Sequence, residues 1–369
     1  MIAGPDTSYE LYEGSARLAE LQGAWEELEE SGADHIFQTY AFARLWQDNV
    51  GDRAGATPLV VALREGHRIV GIFPACRVRA RGVPLLTWLG APRSLDYGDV
   101  LFDATVAVTP VADFVAESLR IVGARARGAV LYLPNVREDS RSIHALRDVL
   151  RVYRTSVAPY ARIQGTWEQF LSTRKRLRKK LNHGGHQIRK LGEAEYRLLL
   201  PGDPGVAAAM ERLTAFKRER YDAPGAKTNL FDPSYVAFRT AQATMDPHSR
   251  VSTLSLDGKC IAVQLDAVFR GRMYGFLTGF DSEYAVASPG VLLLEFAVRS
   301  CFENGWDPYD FGWGAEPHKY FWADCETGLT SFVSDGPVGV AIAATANAWR
   351  RIREARAKKC AETPAQGES

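Results

Sequence analysis

Apolar and polar residues alternate through residues 250–278, the pattern of strands that bury one face. Short turns containing glycine, at 257–258 and 270–271, divide this stretch, so it predicts three consecutive antiparallel strands. These strands are expected at 250–256, 260–269 and 273–278.

An apolar helix is predicted to follow and to run to residue 304. Ser288 is a suitable N-cap, Pro289 suits the first helical position, and Gly305 follows the last turn as a left-handed stop. A helix that is apolar on most sides packs against other elements, most simply a sheet. A further short strand is predicted at 309–312.

The first half of the chain contains a similar strand-turn-strand unit at 59–77. Its turn residue Gly66 lies 192 positions before Gly258 (258 − 66 = 192), and the same spacing joins Ala75 to Ala267. Apolar alternation around a glycine turn is common, so a match this short also arises by chance. Further helices are predicted at 15–31, 39–47, 111–122 and 204–221, and further strands at 85–89 and 129–133.

The segment 166–191 is the most polar part of the chain and keeps an apolar stripe at helical spacing. Thr166 and Gln169 have the spacing of a capping box, and Gly184-Gly185 predicts a kink or a division into two helices. Cations surround the stripe with no acid between them: Arg174, Lys175, Arg176, Arg178, Lys179, Lys180, Arg189 and Lys190. Such a run is either a solvated helix face or a site for phosphate groups on a cofactor, an anionic acceptor or an RNA carrier.

Three strands, a helix and a further strand follow one another in the order of a GNAT-type N-acyltransferase. The runs Ser288-Pro-Gly-Val-Leu-Leu293, Tyr309-Asp-Phe-Gly312 and Gly314-Ala-Glu-Pro-His-Lys-Tyr320 resemble the signature of the CelD/FemAB-like acyltransferases, which carry two GNAT folds in one chain. The resemblance is clearest over 167–322, and His318 stands where most relatives have tyrosine.

The resemblance implies a mixed α/β fold with tandem GNAT-like domains, each a mostly antiparallel twisted sheet flanked by helices. The expected organisation is a degenerate N-terminal GNAT-like domain at 1–165, a basic helical connector at 166–195, a C-terminal GNAT-like domain at 196–345, and a basic helix with a disordered tail at 346–369.

The resemblance also implies acyl-CoA, either acetyl-CoA or a longer one, as the co-substrate. The first-turn N–H groups of a helix suit phosphate, and Pro289-Gly290 places no bulky side chain before them. At the corresponding place the first half has 108–110, with no run like 316–320 after it, so we assign the donor to the second half. The cofactor-binding candidates are Ser288, Pro289, Gly290, Val291, Tyr274 and Gly275.

Acyl transfer to an amine needs a base for the amine proton, N–H donors for the carbonyl oxygen and an acid for the leaving thiolate. Glu316 is the first candidate for the base and Asp310 the second, because both are expected on the strand and loop that face the cleft. Lys319 can instead pair with Glu316 as a structural ion pair. The candidate acids are Tyr320, Tyr274 and Tyr284, of which we carry Tyr320 forward.

The acceptor is expected to bind between the two halves. The substrate-binding candidates are Asp96, Tyr97, Asp99, Tyr221, Asn229 and Lys319. Turn propensity explains the first three nearly as well, and Tyr221 and Asn229 can equally close a turn.

Composition agrees with a globular chain of two ordinary domains: 369 residues, 46% hydrophobic, 24% charged and a net charge of +1. Neither DNA nor a membrane span is indicated, and the five scattered cysteines favour a reduced cytoplasm without a metal site. The function that follows is acyl transfer from acyl-CoA to an amine, and the resemblance implies a small molecule or a polysaccharide, cell-envelope or secondary-metabolite precursor as the acceptor. The alternatives are an aminoacyl-tRNA-dependent transferase, in which RNA is a partner, and a non-catalytic accessory protein of envelope polysaccharide assembly. The oligomeric state stays open.

Overall fold

The structure is a computed structural model that describes residues 6–80, 82–91, 94–105, 107–221 and 232–334. Asn229 and the tail expected at 346–369 lie outside the described residues.

The first half alternates strands and helices from residue 7 to residue 161. Its strands are β1 (Thr7–Glu13), β2 (Thr57–Glu65), β3 (Arg68–Ala80), β4 (Val83–Trp88), β5 (Leu101–Phe102), β6 (Val130–Arg137) and β7 (Arg151–Ala161). Its helices are α1 (Gly14–Glu20), α2 (Gln22–Gly32), α3 (Tyr40–Trp46), α4 (Val111–Arg125) and α5 (Ile143–Val149). The single helix predicted at 15–31 was wrong, because the chain tightens at Leu21, whose N–H bonds back only three residues to Leu18.

The second half repeats part of this order, but it begins with two helices, and its described residues have no α-helix between the last two strands. Its helices are α6 (Trp167–Ser172), α7 (Lys175–Leu191), α8 (Gly205–Tyr221), α9 (Pro233–Met245) and α10 (Pro289–Asn304). Its strands are β8 (Ala194–Leu199), β9 (Ser249–Leu256), β10 (Lys259–Phe269), β11 (Arg272–Phe280), β12 (Tyr309–Asp310) and β13 (Cys325–Val333). The three strands and the helix predicted over 250–304 are confirmed. The strand predicted at 309–312 ends at Asp310, because Gly312 has a left-handed φ of 70° and its N–H bonds to Asp310 Oδ1.

Helix α7 runs without interruption through Gly184 and Gly185, so the kink predicted there was wrong. The division lies instead at 173–174, between α6 and α7. A Cβ atom on Gly184 would lie 2.7 Å from the carbonyl oxygen of Ala287 and 3.2 Å from Leu292 Cδ2. The glycine therefore permits close packing of α7 against the start of α10.

The strands form one continuous sheet that crosses both halves. Its order is β1-β2-β3-β4-β6-β13-β7-β12-β11-β10-β9-β8, and β5 pairs with β3. In the described part of the chain only β4 with β6 and β11 with β12 pair in parallel, and the other pairs are antiparallel. The prediction of a mixed α/β fold with a mostly antiparallel sheet is confirmed.

Each half contributes its last strand to the sheet of the other half. Strand β13 lies between β6 and β7, and β7 pairs with β12. The β2–β3 and β9–β10 hairpins keep the spacing of 192 residues between Gly66 and Gly258, both of which have left-handed φ angles in their turns. The domain boundaries at 165, 195 and 345 stay predictions.

Helices from both halves share one apolar core. Phe42 of α3, Phe238 of α9 and Tyr274 of β11 are each at most 4% exposed and belong to the same buried cluster. The Phe42 and Phe238 rings meet edge to face with centroids 5.5 Å apart. The shared core fixes loops of the first half against strands of the second.

Candidate active site

The sheet opens between β11 and β12. These strands pair only at Met273 with Tyr309 and at Tyr274 with Asp310. Beyond this point β12 ends, and among the described strands none pairs with the edge of β11 at 275–280 on that side. The backbone groups along this edge therefore face a gap.

A β-bulge in β11 lies at the start of this gap. Leu265 of β10 pairs with Leu277 and Asp266 pairs with Gly275, so Phe276 is an extra residue. An extra residue leaves the ladder locally unpaired and turns backbone groups away from the neighbouring strand. Backbone N–H groups in this position can stabilise negative charge on a carbonyl oxygen.

A buried polar network supports the bulge from behind. A Cβ atom on Gly275 would lie 2.7 Å from the Tyr309 hydroxyl, which donates to Asp266 Oδ1 over 2.7 Å. Gln264 donates to the same carboxylate and accepts from Thr278 Oγ1 over 3.1 Å. Burial raises the pKa of Asp266 to about 7, although the hydrogen bonds from Tyr309 and Gln264 lower it in part.

Helix α10 begins beside the same gap. Ser288 is the N-cap residue but has left-handed angles (φ 52°, ψ 54°) and makes no side-chain capping bond, so only its predicted position is confirmed. A Cβ atom on Gly290 would lie 3.1 Å from the Phe280 ring, which shows that α10 packs against the end of β11. Pro289 is buried, whereas Gly290 and Val291 are half-buried.

The corresponding helix start in the first half is closed by a carboxylate. Glu65 Oε2 accepts from the N–H of Val108 over 2.8 Å and Oε1 accepts from the N–H of Thr109 over 2.7 Å. These N–H groups directly precede Pro110, the N-cap residue of α4, so a carboxylate of the protein already lies next to this helix start. The residue at the corresponding turn of the second half, Asp257, bonds instead to the N–H of Glu193 over 2.8 Å.

Replacing Glu65 by glutamine should destabilise the protein by about 1.5–3 kcal/mol at pH 7, the range for a hydrogen bond to a charged group. Burial raises the pKa of Glu65, but the hydrogen bonds from the Val108 and Thr109 N–H groups together outweigh this effect, so the pKa lies below its ordinary value. This stabilisation is therefore present above the unfolded pKa and is lost as the pH falls through the lower folded pKa. Urea unfolding at pH 7 and pH 3 tests this: the deficit should shrink at low pH. Glu20→Gln, at an exposed ion pair, is the control, and an equal deficit in both variants would contradict the role of Glu65.

A loop from the first half reaches the gap in the second. A Cβ atom on Gly312, the residue that follows β12 and Phe311, would lie 2.5 Å from Asp96 Oδ2 and 3.9 Å from the Gly275 carbonyl oxygen. Asp96 keeps partial contact with solvent, and within the described part of the chain its carboxylate accepts no hydrogen bond. Burial raises the pKa of Asp96 to about 6, while the charges of Arg239 and Lys319 lower it in part. A carboxyl group of this kind can exchange protons near neutral pH.

Tyr97 and Asp310 lie inside the protein beneath this loop. The Tyr97 hydroxyl donates to Asp310 Oδ1 over 2.5 Å, and both residues are at most 1% exposed. Asp310 Oδ2 faces Arg137 Nη1 at 3.4 Å and Arg272 Nη1 at 3.2 Å. This cluster joins β12 to β6, to β11 and to the loop that carries Asp96.

Asp99 also turns inward. It is 4% exposed and accepts hydrogen bonds from the Ser142 hydroxyl and, over 2.8 Å, from the N–H of Val100. Burial raises its pKa to about 6, against the hydrogen bonds that lower it. Of the three acceptor candidates in the loop, the structure therefore places only Asp96 beside the gap.

Glu316 and Lys319 form the ion pair that was the alternative to catalysis, with Lys319 Nζ 2.8 Å from Glu316 Oε2. Lys319 is 9% exposed and also donates to the carbonyl oxygens of Gly312, Trp313 and Gly314, so it holds this loop in shape. Burial raises the pKa of Glu316, but the hydrogen bond and charge of Lys319 lower it by a larger amount, so the pKa lies below its ordinary value. The role of Glu316 as base stays a prediction.

The two tyrosines named as acid and cofactor contact lie in different surroundings. Tyr320 is 44% exposed and donates to Glu326 Oε2 over 2.8 Å. Tyr274 is 2% exposed, and its ring lies 6.1 Å from that of Phe37, so only its backbone borders the gap. The side chain of Tyr221 and the whole of Asn229 fall outside the described part.

Sequence reasoning missed Arg137 and Arg239, which bind the two halves together, and it missed Glu65, Asp266 and Arg272, whose bonds lie within one half. Arg239 is 5% exposed and donates to the Ser94 carbonyl oxygen over 3.2 Å, which ties α9 to the Asp96 loop. A charged residue at an apolar-patterned position, such as Asp266 within β10, was the one available signal.

The cations of the basic segment form an exposed face on α7. All of those from Lys175 to Lys190 are exposed, whereas Arg174 is half-buried and donates to the Trp322 carbonyl oxygen over 2.9 Å. Lys180 Nζ lies 5.7 Å from the centre of the Phe321 ring, which is 38% exposed. The predicted capping box at Thr166 and Gln169 is confirmed.

Within residues 6–334, apart from the gaps in the description, no helix is long and apolar enough to cross a membrane. Over the same ranges, no group of three or more His, Cys, Asp or Glu side chains could hold a metal ion.

The second half matches a known family. Residues 172–320 match the acetyltransferase (GNAT) domain family. The matched residues include β11, α10 and β12, and therefore the gap and the start of α10. Among curated proteins no match is found.

Solved structures share the fold across both halves. The chain resembles the C-terminal domain (DUF2156) of a candidate lysylphosphatidylglycerol synthetase from Agrobacterium fabrum, with a TM-score of 0.58, 13% identity, and 89% of this chain and 95% of that one covered. The crystal structure of FemX matches with a TM-score of 0.58 and 11% identity, covering 85% of this chain and 95% of that one. A conserved protein of unknown function from Bacteroides thetaiotaomicron matches with a TM-score of 0.55 and 9% identity, covering 87% of this chain and 97% of that one. At these identities the likeness shows the fold alone, and acyl transfer as the class of reaction is supported by the match of residues 172–320 to the acetyltransferase (GNAT) domain family.

Proposed function

We propose that the protein is an N-acyltransferase of the CelD/FemAB-like branch that moves an acyl group from acyl-CoA to an amine. The observation that carries the proposal is the position of Asp96 beside Gly312, at the gap of the GNAT domain, with a pKa raised to about 6. We place the reaction in the cytoplasm, where acyl-CoA and free thiols occur together, in keeping with the four described cysteines, which are all free.

Asp96 is the base in this proposal. Above pH 6 its carboxylate takes a proton from the acceptor ammonium, directly or through one bridging water, so that the nitrogen lone pair can attack the thioester carbon. Negative charge then develops on the carbonyl oxygen, which N–H groups at the Phe276 bulge stabilise. Collapse of the intermediate breaks the carbon–sulfur bond, and the proton that the attacking nitrogen then gives up balances the one that the leaving thiolate takes up, so the products are the amide and the free thiol of CoA.

The donor occupies the gap from the side of α10. Its diphosphate lies at the first turn of the helix, where the N–H of Gly290 is at the positive end of the helix dipole, whereas the N–H of Val291 already donates to the Ser288 carbonyl oxygen over 2.9 Å. The acyl chain follows the open edge of β11 towards Gly275. Because Glu65 fills the equivalent place in the first half, we expect one donor per chain.

Replacing Val286 by glutamate should weaken acetyl-CoA binding about tenfold, because a carboxylate near the phosphates costs at least ~1.4 kcal/mol. Val286 is 56% exposed and lies just before α10, so the change costs little packing, unlike a substitution at Gly290. Calorimetric titration measures the affinity, with Val286→Gln as the uncharged control. Equal affinities of the two variants for acetyl-CoA would contradict binding of the diphosphate at this helix.

An aminoacyl-tRNA donor is the second candidate, favoured by the exposed cations of α7 and by Phe321 beside Lys180. Phosphate neutralisation together with base stacking on an exposed ring is how proteins bind single-stranded nucleic acid. The same titration separates the candidates. If a folded sample binds no acyl-CoA, and transfer appears only with charged tRNA, the second candidate replaces the first; activity with neither leaves the accessory role.

The acceptor class rests on the resemblance to CelD/FemAB-like proteins. We propose a small-molecule or glycan-precursor amine, as in polysaccharide, cell-envelope or secondary-metabolite assembly. A screen of such amines with acetyl-CoA tests this class, with the release of free CoA thiol as the measured signal. A set of simple amines without sugar or envelope character serves as the comparison, and faster turnover of that set would contradict it.

A further inference from the structure

A second cleft lies where the strands of the two halves meet. It contains about 490 Å³ of empty space, part of it open to solvent. Its walls come from β6, β7, β11, β13 and the segment just before β12, and the lining residues are Arg137, Asp139, Tyr160, Arg162, Arg272, Asp307, Pro308 and Thr327. The carboxylate of Asp307 already accepts a hydrogen bond from the N–H of Ile163 over 2.8 Å. None of these residues belongs to the proposed catalytic or donor groups.

The hydrogen bonds of Arg137 are already used. Its Nε and Nη2 each donate to Asp139 over 2.8 Å, and Nη1 lies 3.4 Å from Asp310. Arg137 is 7% exposed, so it forms the rear wall of the cleft with its charge compensated.

Arg272 is compensated only in part. Its Nη1 donates to Asp310 Oδ2 over 3.2 Å, but Asp310 is shared with Arg137. No other described residue accepts a hydrogen bond from the remaining N–H groups of Arg272, whose side chain is 23% exposed. A guanidinium group presents its donors in a planar fork that fits carboxylate and phosphate oxygens.

Other donors surround the same space. Arg162 lies across the cleft, 52% exposed, with Nε as far as 3.6 Å from Asp324 Oδ2. Asp324 is itself shared with Arg174 at 3.3 Å. The hydroxyl groups of Tyr160 and Thr327 complete the wall. Two incompletely paired guanidinium groups with neighbouring hydroxyls are the chemistry of an anion site.

We propose that this cleft binds the anionic group, a carboxylate or a phosphate, of a ligand distinct from the acyl donor. The ligand shares Arg272 with Asp310, whose other oxygen holds Tyr97 next to Asp96. Binding in the cleft is therefore coupled through one carboxylate to the loop that carries the proposed base. The proposal stands whichever acyl donor the protein uses.

The test is titration of the full chain, without acyl-CoA, with inorganic phosphate and separately with succinate. At least one should bind with a Kd of about 10 mM or tighter. Arg162→Gln and Arg272→Gln should each weaken binding about fivefold, the loss of one charge-assisted contact. Arg197→Gln, at an exposed arginine of β8, is the matched control.

Further variants make the result decisive. Val286→Glu distinguishes phosphate bound in the cleft from phosphate bound at the start of α10. Binding in the cleft should persist in that variant, whereas binding at the helix should weaken. If Arg272→Gln does not fold, Arg162→Gln carries the test, since Arg162 is exposed. The stronger of the two probes identifies the anion as phosphate or carboxylate. Absence of binding by both probes, or equal affinity in the wild type and Arg162→Gln, would overturn the proposal.

Discussion

Replacing Asp96 by asparagine should lower kcat for acyl transfer about 10²–10⁴-fold, the contribution of a general base. The donor Kd should change little, because Asp96 lies beside Gly312 and away from the start of α10. The change keeps the shape of the side chain and removes only its ability to take a proton. Calorimetry and steady-state kinetics on the same sample separate the two effects.

The pH profile should identify the same group. The base must be deprotonated, so the wild-type rate should rise with pH through the raised pKa of Asp96, about 6, and this limb should vanish in the variant. Glu316→Gln is the matched comparison, since Glu316 lies on the same side of the gap but is paired with Lys319. If Glu316→Gln carries the large loss and Asp96→Asn does not, Glu316 is the base as the sequence first suggested.

Replacing Asp310 by alanine should reduce the free energy of unfolding by about 3–5 kcal/mol, the cost of leaving a buried charge without its partner. The change leaves Arg137 and Arg272 facing each other in a site where Asp310 is 1% exposed. It also removes the acceptor of the Tyr97 hydroxyl. Chemical denaturation of the full chain measures the loss.

Two controls divide this effect. Tyr97→Phe removes one hydrogen bond to the carboxylate and should cost about 1.5–3 kcal/mol. Asp139→Ala removes the other carboxylate partner of Arg137, but Asp139 is 60% exposed, so solvent compensates and the loss should be smaller than for Asp310→Ala. A loss in Asp310→Ala no larger than that in Asp139→Ala would show that the cluster does not hold the halves together.

The start of α10 shows how far a local pattern reaches. Pro289, Gly290 and Gly305 bounded the helix correctly because first-turn and stop preferences depend on neighbouring residues. The same reasoning could not show that Ser288 has left-handed angles or that Gly290 packs on Phe280, because both depend on β11. Gly184 was misread for the same reason: its purpose is contact with Ala287, not a bend.

The roles of the carboxylates depend on distant contacts. Tyr97 and Asp310 are 213 residues apart in the chain yet share a hydrogen bond, and Asp96 is next to Gly312 only because the halves pack together. The sequence ranks Glu316 before Asp310 as the base and gives Asp96 only as a substrate-binding candidate. Burial and partners then separate them, since Asp310 is enclosed by arginines, Glu316 is paired and Asp96 keeps contact with solvent.

The sequence by itself determined the three strands and the following helix of the second half and the repeated hairpin, and the assignment of the donor to that half stays a prediction. These follow from periodicity and turn chemistry, which act over a few residues. Only the tertiary structure decided that the halves exchange their last strands, that Glu65 closes the helix start of the first half, and that Asp96 reaches the gap of the second. Each of these depends on residues brought together by packing across the whole sheet, where sequence separation carries no information about distance.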